Sequence, residues 1–123
     1  MRVLLVDDEE ELVSTIAERL EFRGIEADWA VAEEQAVALA EKKDFDIAVI
    51  DIKLRGISGF EVKSMLEKVN PKIKYIFLTG HGSENNFKKG CEEAGSAKYY
   101  LVKPINIKKL ISLMKELMGE EQC

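Results

Sequence analysis

The 123-residue sequence predicts a doubly wound α/β domain, in which a parallel five-stranded sheet carries helices on both faces. Short continuous apolar runs, typical of strands buried on both faces, alternate along the chain with segments of helical period. The length suits one domain, and the sequence shows no internal repeat and no Pro/Gly/Ser-rich linker. Charged or hydroxyl residues follow most of the apolar runs, as at the ligand-binding edge of such a sheet.

The composition excludes several classes of protein. Hydrophobic residues make up 46% of the chain and charged residues 33%, which is typical of a globular protein. The net charge of −5 argues against direct nucleic-acid binding. No apolar run approaches the roughly 20 residues that span a bilayer, and the apolar start is too short for a signal peptide. We therefore expect a cytoplasmic protein without a membrane partner, in which Cys91 and Cys123 form no structural disulfide.

The strands are predicted from two patterns. Continuous apolar runs occupy residues 3–6, 47–50, 75–78 and 99–102. Between the first two runs, Ile25, Ala27 and Trp29 alternate with acidic residues, which predicts a half-exposed strand at an edge of the sheet.

Helices are predicted between and after these strands, each with an apolar stripe that we assign to the core. Gly24 closes the first helix, Pro71 follows the third, and Asn106 is placed to cap the last. A narrower stripe over 83–94 predicts a helix of low stability. The clearer stripes consist of Leu12, Ile16 and Leu20; Ala32, Ala36, Leu39 and Ala40; Val62, Met65, Leu66 and Val69; and Ile107, Leu110, Ile111, Met114 and Leu117.

The carboxyl ends of parallel strands meet at one edge of a sheet, so the residues that follow the strands should lie together. Three carboxylates in one cluster raise one another's pKa values unless a cation neutralises them. Hard oxygen ligands favour Mg²⁺. The residues at this edge are Asp7 and Asp8 after the first strand, Asp51 after the third, Thr79 and Gly80 after the fourth, and Lys103 after the fifth.

In these segments the chain resembles the receiver domain of two-component response regulators. The resemblance rests on Val6-Asp7-Asp8, the segment Asp51 to Glu61, Thr79-Gly80 and Lys103-Pro104, in that order, and it covers nearly the whole chain. It implies a flavodoxin-like (βα)5 fold with strand order 2-1-3-4-5. We assign residues 1–119 to this domain and 120–123 to a flexible tail.

The resemblance also implies a chemistry. Asp51 would accept a phosphoryl group from a histidine kinase or a phosphotransfer protein, with Mg²⁺ as cofactor. The domain would catalyse this transfer and a slow hydrolysis, and would otherwise be no enzyme. The metal ligands would be Asp7, Asp8, Asp51 and the backbone carbonyl of Lys53. The groups that contact the phosphoryl oxygens would be Lys103, the Thr79 hydroxyl and a backbone N–H near Gly80.

Further residues are implied in switching and docking. Thr79 and Tyr100 would form the conformational switch, and the face of the fourth helix, fifth strand and fifth helix would then bind an output partner or a second copy. The Lys103–Pro104 peptide bond is expected to be cis. The expected kinase-docking residues are Glu9, Leu12, Thr15 and Ile105.

One departure and two alternatives remain open. Receivers usually have Pro where this chain has Arg55, so the loop would be looser or Arg55 would contact the kinase. A degenerate receiver would act as an interaction module without phosphorylation. A phosphohydrolase with an aspartyl nucleophile would usually show D-x-D, but Lys53 holds the position of the second carboxylate.

Overall fold

The structure, a computed structural model, describes residues 1–80 and 99–119. The predicted helix over 83–94, Cys91 and the tail 120–123 lie outside the described residues. No described helix has the length and apolar character that a bilayer span needs. The strands are β1 (Arg2–Val6), β2 (Glu26–Ala30), β3 (Ile47–Asp51), β4 (Lys53–Leu54), β5 (Ile57–Ser58), β6 (Lys74–Thr79) and β7 (Tyr100–Val102). The described helices are α1 (Glu10–Phe22), α2 (Glu33–Lys42), α3 (Gly59–Val69) and α4 (Ile107–Leu117).

The main sheet is parallel and has the order β2-β1-β3-β6-β7. Counted along the chain within this sheet, the order is 2-1-3-4-5, which confirms the prediction. Asp51 pairs with Leu78, and Thr79 pairs with Val102. These registers bring the carboxyl ends of β3, β6 and β7 to one edge.

Two apolar layers enclose the sheet, because successive side chains of a strand point to opposite faces. Leu5 of β1 lies in a cluster with residues of α1 and α4. Leu4 and Val6 lie in a second cluster with residues of α2 and α3. Helices therefore cover both faces, as predicted. The helix ends also agree with the sequence: Gly24 has a φ of +80°, and Asn106 accepts a hydrogen bond from the N–H of Lys109.

The predicted stripe of α3 is wrong at Met65, whose exposed fraction is 39%. Gly59 and Phe60 belong to the buried side of α3, and the Phe60 ring lies 4.9 Å from that of Phe77. Because these two residues pack against the sheet, the buried side of α3 is centred nearer to them than the stripe predicted, and Met65 lies at its exposed margin. In α4, Leu113 is buried, although it was outside the predicted stripe.

A short antiparallel hairpin, β4–β5, was not predicted. Lys53 pairs with Ser58 and Leu54 with Ile57, so Arg55 and Gly56 form its turn. Gly56 has a φ of +75°, a conformation that glycine adopts at little cost. The hairpin follows β3 directly and therefore stands beside the carboxyl edge of the sheet.

Candidate functional site

Three carboxylates lie together at the carboxyl edge of the sheet. Asp51 is the last residue of β3, and Asp7 and Asp8 follow β1. One oxygen of each carboxylate lies within 4.8 Å of the others. Asp7 and Asp51 are buried and Asp8 is half-buried, so the cluster opens to solvent on the side of Asp8.

Backbone hydrogen bonds orient the two buried carboxylates. The N–H of Glu9 donates to Oδ1 of Asp7 over 3.0 Å, and the N–H of Lys53 donates to Oδ1 of Asp51 over 3.0 Å. Each bond joins an Asp to the residue two positions on, which is a frequent arrangement where a strand gives way to a turn. The Oδ2 atoms of both residues remain for contacts across the cluster.

Lys103 supplies those contacts. Its Nζ lies 2.8 Å from Oδ2 of Asp7 and 2.8 Å from Oδ2 of Asp51. The same ammonium is 3.0 Å from Oε1 of Glu9. The backbone fixes its position, since the N–H of Lys103 donates to the carbonyl of Thr79 over 2.7 Å. The Lys103–Pro104 bond is cis, as expected.

The electrostatics of the cluster follow from burial and from this lysine. Burial raises the pKa of Asp7, and the charge of Asp51 adds to the rise, against the lowering effect of Lys103 and of the Glu9 N–H. The sequence predicted the direction from mutual repulsion, but the larger cause is burial. For Lys103, burial lowers the pKa, but the hydrogen bonds that its ammonium donates to Asp51, Asp7 and Glu9 outweigh it and hold the pKa above its usual value.

The two pKa values respond differently to the same ion pair. Lys103 gains from three carboxylates at once, whereas Asp7 has only a share of one ammonium. Asp7 is also the most deeply buried of the acids, with a side chain 2% exposed. The ammonium of Lys103 therefore stays charged. For the ionised form of Asp7, the contact with Lys103 only partly offsets the cost of burying the charge.

Thr79 and Tyr100 lie on the neighbouring strands. Thr79 is buried at the end of β6, and its Oγ1 donates to the carbonyl of Gly80 over 3.1 Å. Gly80 is exposed, and a Cβ built on it would meet no atom within 4 Å. Tyr100 is buried in the apolar layer of α2 and α3, whereas Tyr99 packs against the layer of α1 and α4. The two tyrosines therefore lie on opposite sides of the sheet, as the two-residue period of a strand requires.

The residues predicted to dock a kinase are spread over this edge. Leu12 and Ile105 are half-buried and pack against the apolar layer of α1 and α4, and Thr15 is exposed. Glu9 is exposed, but its carboxylate is held by Lys103. Glu9 thus belongs to the charge network of the cluster as well as to the surface.

Gly59 was not predicted as a site residue. A Cβ at Gly59 would lie 2.4 Å from the backbone oxygen of Asp51, so a side chain here would clash with the strand that carries this carboxylate. The N–H of Gly59 donates to the carbonyl of Ile52 over 2.7 Å, and Ser58 caps α3 by accepting from the N–H of Glu61. The pattern Ser58-x-x-Glu61 is a helix-start signal that locates this contact from the sequence.

The donor set fits a hard divalent cation. Carboxylate oxygens are the ligands that Mg²⁺ and Ca²⁺ prefer, and three of them lie close enough to share one ion. Lys53 follows Asp51 by two positions, and its carbonyl as a further ligand stays a prediction. The burial that raises the pKa of Asp7 gives a second reason for a positive charge at this place.

Comparison with known proteins finds matches over nearly the whole chain. A family model for the response regulator receiver domain matches residues 3–115. The transcriptional regulatory protein TcrA of Mycobacterium tuberculosis is 32% identical over 117 residues, which are 95% of this chain and 46% of TcrA. The uncharacterized transcriptional regulatory protein YesN of Bacillus subtilis is 30% identical over 97% of this chain and 33% of its own length. The chain thus spans less than half of either relative.

Solved structures resemble the chain over nearly its whole length. The CheY-like receiver domain protein of Methanospirillum hungatei has a TM-score of 0.82 and 32% identity, covering 98% of this chain and 96% of that one. The beryllofluoride-activated NtrC4 receiver domain dimer gives 0.83 and 28%, covering 97% of each chain. A Burkholderia pseudomallei response regulator, solved with a phosphorylated aspartic acid, a calcium ion and citrate, gives 0.79 and 27%, covering 98% and 72%. These neighbours confirm the predicted flavodoxin-like fold.

Proposed function

Because the chain belongs to the family of response regulator receiver domains, we propose that it accepts a phosphoryl group on Asp51 from a histidine kinase or a phosphotransfer protein. One observation carries this assignment. Asp51 ends β3 with its Oδ2 2.8 Å from the ammonium of Lys103, within a cluster that includes two further carboxylates. A nucleophile, a cation and a candidate metal site thus meet at one buried position.

The transfer makes use of these groups. An oxygen of Asp51 attacks the phosphorus of the donor phosphohistidine, an O–P bond forms, the N–P bond breaks, and the donor imidazole leaves. Lys103 neutralises charge on the phosphoryl oxygens as it leaves the Asp51 oxygen. The Thr79 hydroxyl and a backbone N–H near Gly80 donate to another phosphoryl oxygen. Thr79 can do so because it ends β6, the strand next to the one that ends at Asp51.

Asp7, Asp8 and Asp51, with the backbone carbonyl of Lys53, would hold Mg²⁺ in this proposal. When bound, Mg²⁺ supplies positive charge beside the phosphoryl oxygens. The Burkholderia structure, which holds a calcium ion and a phosphorylated aspartic acid, supports the pairing of the two groups in this fold. The domain itself supplies the groups that catalyse its own phosphorylation and the slow hydrolysis of the aspartyl phosphate. It turns over no other substrate in this proposal.

The output is conformational. Thr79 moves towards the phosphoryl group and Tyr100 repacks, which changes the face formed by the helix predicted over 83–94, β7 and α4. An output partner or a second copy then binds this face, and the NtrC4 receiver dimer supports the second. The donor docks near Leu12 and Ile105, with Glu9 and Thr15 beside them, in the cytoplasm.

Acetyl phosphate tests the acceptance step. The protein is incubated with acetyl phosphate and Mg²⁺, and its intact mass is measured at short intervals. We expect the mass of one phosphoryl group to be gained by the wild type and by Asp44→Asn, an exposed matched control, and not by Asp51→Asn. A wild type that gains no mass, from acetyl phosphate or from a phosphorylated kinase, would support the phosphorylation-independent interaction module instead.

A further inference from the structure

Arg55 stands beside the open side of the carboxylate cluster. Its Nε lies 3.9 Å from Oδ2 of Asp8, the carboxylate through which the cluster meets solvent. The side chain of Arg55 is 92% exposed and that of Asp8 is 23% exposed. Arg55 is therefore an exposed cation next to one member of the candidate metal set, and the roles assigned above do not use it.

The hairpin explains why an arginine can occupy this place. Arg55 and Gly56 are the central residues of the turn between β4 and β5. Among the described residues only glycines have positive φ, and Gly56 has a φ of +75°. A negative φ followed by a positive one fits a type II turn, in which Pro is favoured at the first central position and Gly at the second. Arg55 thus holds a position where proline would satisfy the backbone without adding charge.

The cation has a consequence for metal binding. A divalent ion held by Asp8 would come close to the guanidinium, and like charges at such distances repel even when water screens them. In this structure, Nε of the same guanidinium lies 3.9 Å from the Asp8 carboxylate that the metal needs. Both effects lower the affinity of the site for the metal ion. The ion must first replace Arg55 as the partner of Asp8, and its charge is then repelled by the nearby guanidinium.

We propose that Arg55 competes with the divalent cation for Asp8 and so weakens Mg²⁺ binding at this site. The inference rests on the proposed metal site of the receiver domain, and it makes Arg55 a residue that sets the affinity of that site for Mg²⁺. Lys103 differs from Arg55 in this respect, because its ammonium is enclosed by Asp7, Asp51 and Glu9. Arg55 reaches the cluster from solvent, so replacing it leaves that inner network in place.

The test is a calorimetric titration of the full chain with Mg²⁺ alone, so that no phosphoryl donor is involved. Arg55→Pro keeps the turn and removes the charge, and Arg55→Ala removes the charge without the proline ring. Arg19→Ala is the matched control, because Arg19 is an exposed arginine of α1 and its loss changes the net charge equally. Thermal melting of each variant in EDTA shows that it is folded.

We expect both Arg55 variants to bind Mg²⁺ roughly two- to fivefold more tightly than the wild type, the range open to an exposed charge pair. The gain should shrink at high ionic strength, where exposed charges are screened. The inference is overturned if both variants bind as the wild type does or more weakly, or if Arg19→Ala gains as much.

Asp8→Ala separates this inference from the proposed function. If Asp8→Ala binds Mg²⁺ as the wild type does, or if no variant binds it, the metal site itself is wrong and the inference falls with it. If Asp8→Ala loses binding while the Arg55 variants are unchanged, the metal site stands and only the role of Arg55 is refuted.

Discussion

The ammonium of Lys103 lies 2.8 Å from Oδ2 of Asp51, although 52 positions of the chain separate the two residues. The sheet order brings them together, because β3 and β7 flank β6 and end at the same edge. Lys103 also contacts Asp7 and Glu9, so one cation balances part of a larger negative charge. The cluster thus has a net deficit of positive charge.

That deficit predicts stabilisation by Mg²⁺. A ligand that binds only the folded state at ten times its Kd raises the free energy of unfolding by about 1.4 kcal/mol, which corresponds to a rise in Tm of roughly 5 °C. We expect this rise in the wild type and in Glu10→Ala, an exposed acid of α1, and not in Asp8→Ala. Differential scanning fluorimetry with Mg²⁺ and with EDTA measures it. An equal rise in Asp8→Ala would remove Asp8 from the site.

The raised pKa of Asp7 predicts a dependence of stability on pH in metal-free protein. A carboxyl with a higher pKa in the folded than in the unfolded state favours folding while it is protonated, and this contribution is lost as the pH rises through the folded pKa. Asp7→Asn should therefore be more stable than the wild type at neutral pH, and the gap should close as the pH falls below 3.8, the ordinary value.

Urea denaturation in EDTA at a series of pH values measures this gap, with Asp44→Asn as the exposed control. An Asp7→Asn protein that is less stable than the wild type at neutral pH would mean that the contact with Lys103 outweighs the cost of burial.

Gly59 gives a steric prediction. In Gly59→Ala the new Cβ would lie 2.4 Å from the backbone oxygen of Asp51 and 3.0 Å from Cγ2 of Ile50, so helix and strand must separate. We expect a loss of about 1–3 kcal/mol in the free energy of unfolding, typical of overpacking. Gly80→Ala is the matched control, because its Cβ would meet no atom within 4 Å. Equal urea midpoints for the two variants would contradict the close approach.

The proposed switch predicts that acceptance and signalling separate. Tyr100→Ala should retain most of its phosphoryl acceptance, measured by intact mass, because Tyr100 lies in the apolar layer of α2 and α3 and not in the carboxylate cluster. In this variant, the NMR resonances of the α4 backbone amides should no longer shift when beryllofluoride and Mg²⁺ are added. Tyr99→Ala, on the opposite side of the sheet, should keep the shift. Loss of the α4 response in both variants, or in neither, would count against this route.

The sequence could predict the site because the prediction depends on strand ends alone. Once the runs ending near Val6, Ile50, Leu78 and Val102 are recognised as parallel strands, the residues after them must meet at one edge. Details of loop and side-chain placement do not alter that result, so the cluster of Asp7, Asp8 and Asp51 was predictable.

Other features depend on contacts that periodicity does not encode. The strands of the hairpin are two residues long, too short for any period, and only Gly56 marks their turn. Met65 matched a helical stripe, but the packing of Phe60 on Phe77 decided which way α3 faces. The contact of Glu9 with Lys103 depends on where two long side chains turn, so the sequence suggested a surface role alone.

The hydrogen bond from the N–H of Gly59 to the carbonyl of Ile52 closes the hairpin at its base. The base of the hairpin is therefore joined to the end of the strand that carries Asp51, so the tip lies a short distance from the carboxylate cluster. This makes Arg55, 92% exposed at that tip, a suitable place to attach an environment-sensitive fluorophore through an engineered cysteine, with Cys91 and Cys123 replaced by serine. Such a label would turn the domain into an optical reporter of its own phosphorylation, read in solution without a partner protein.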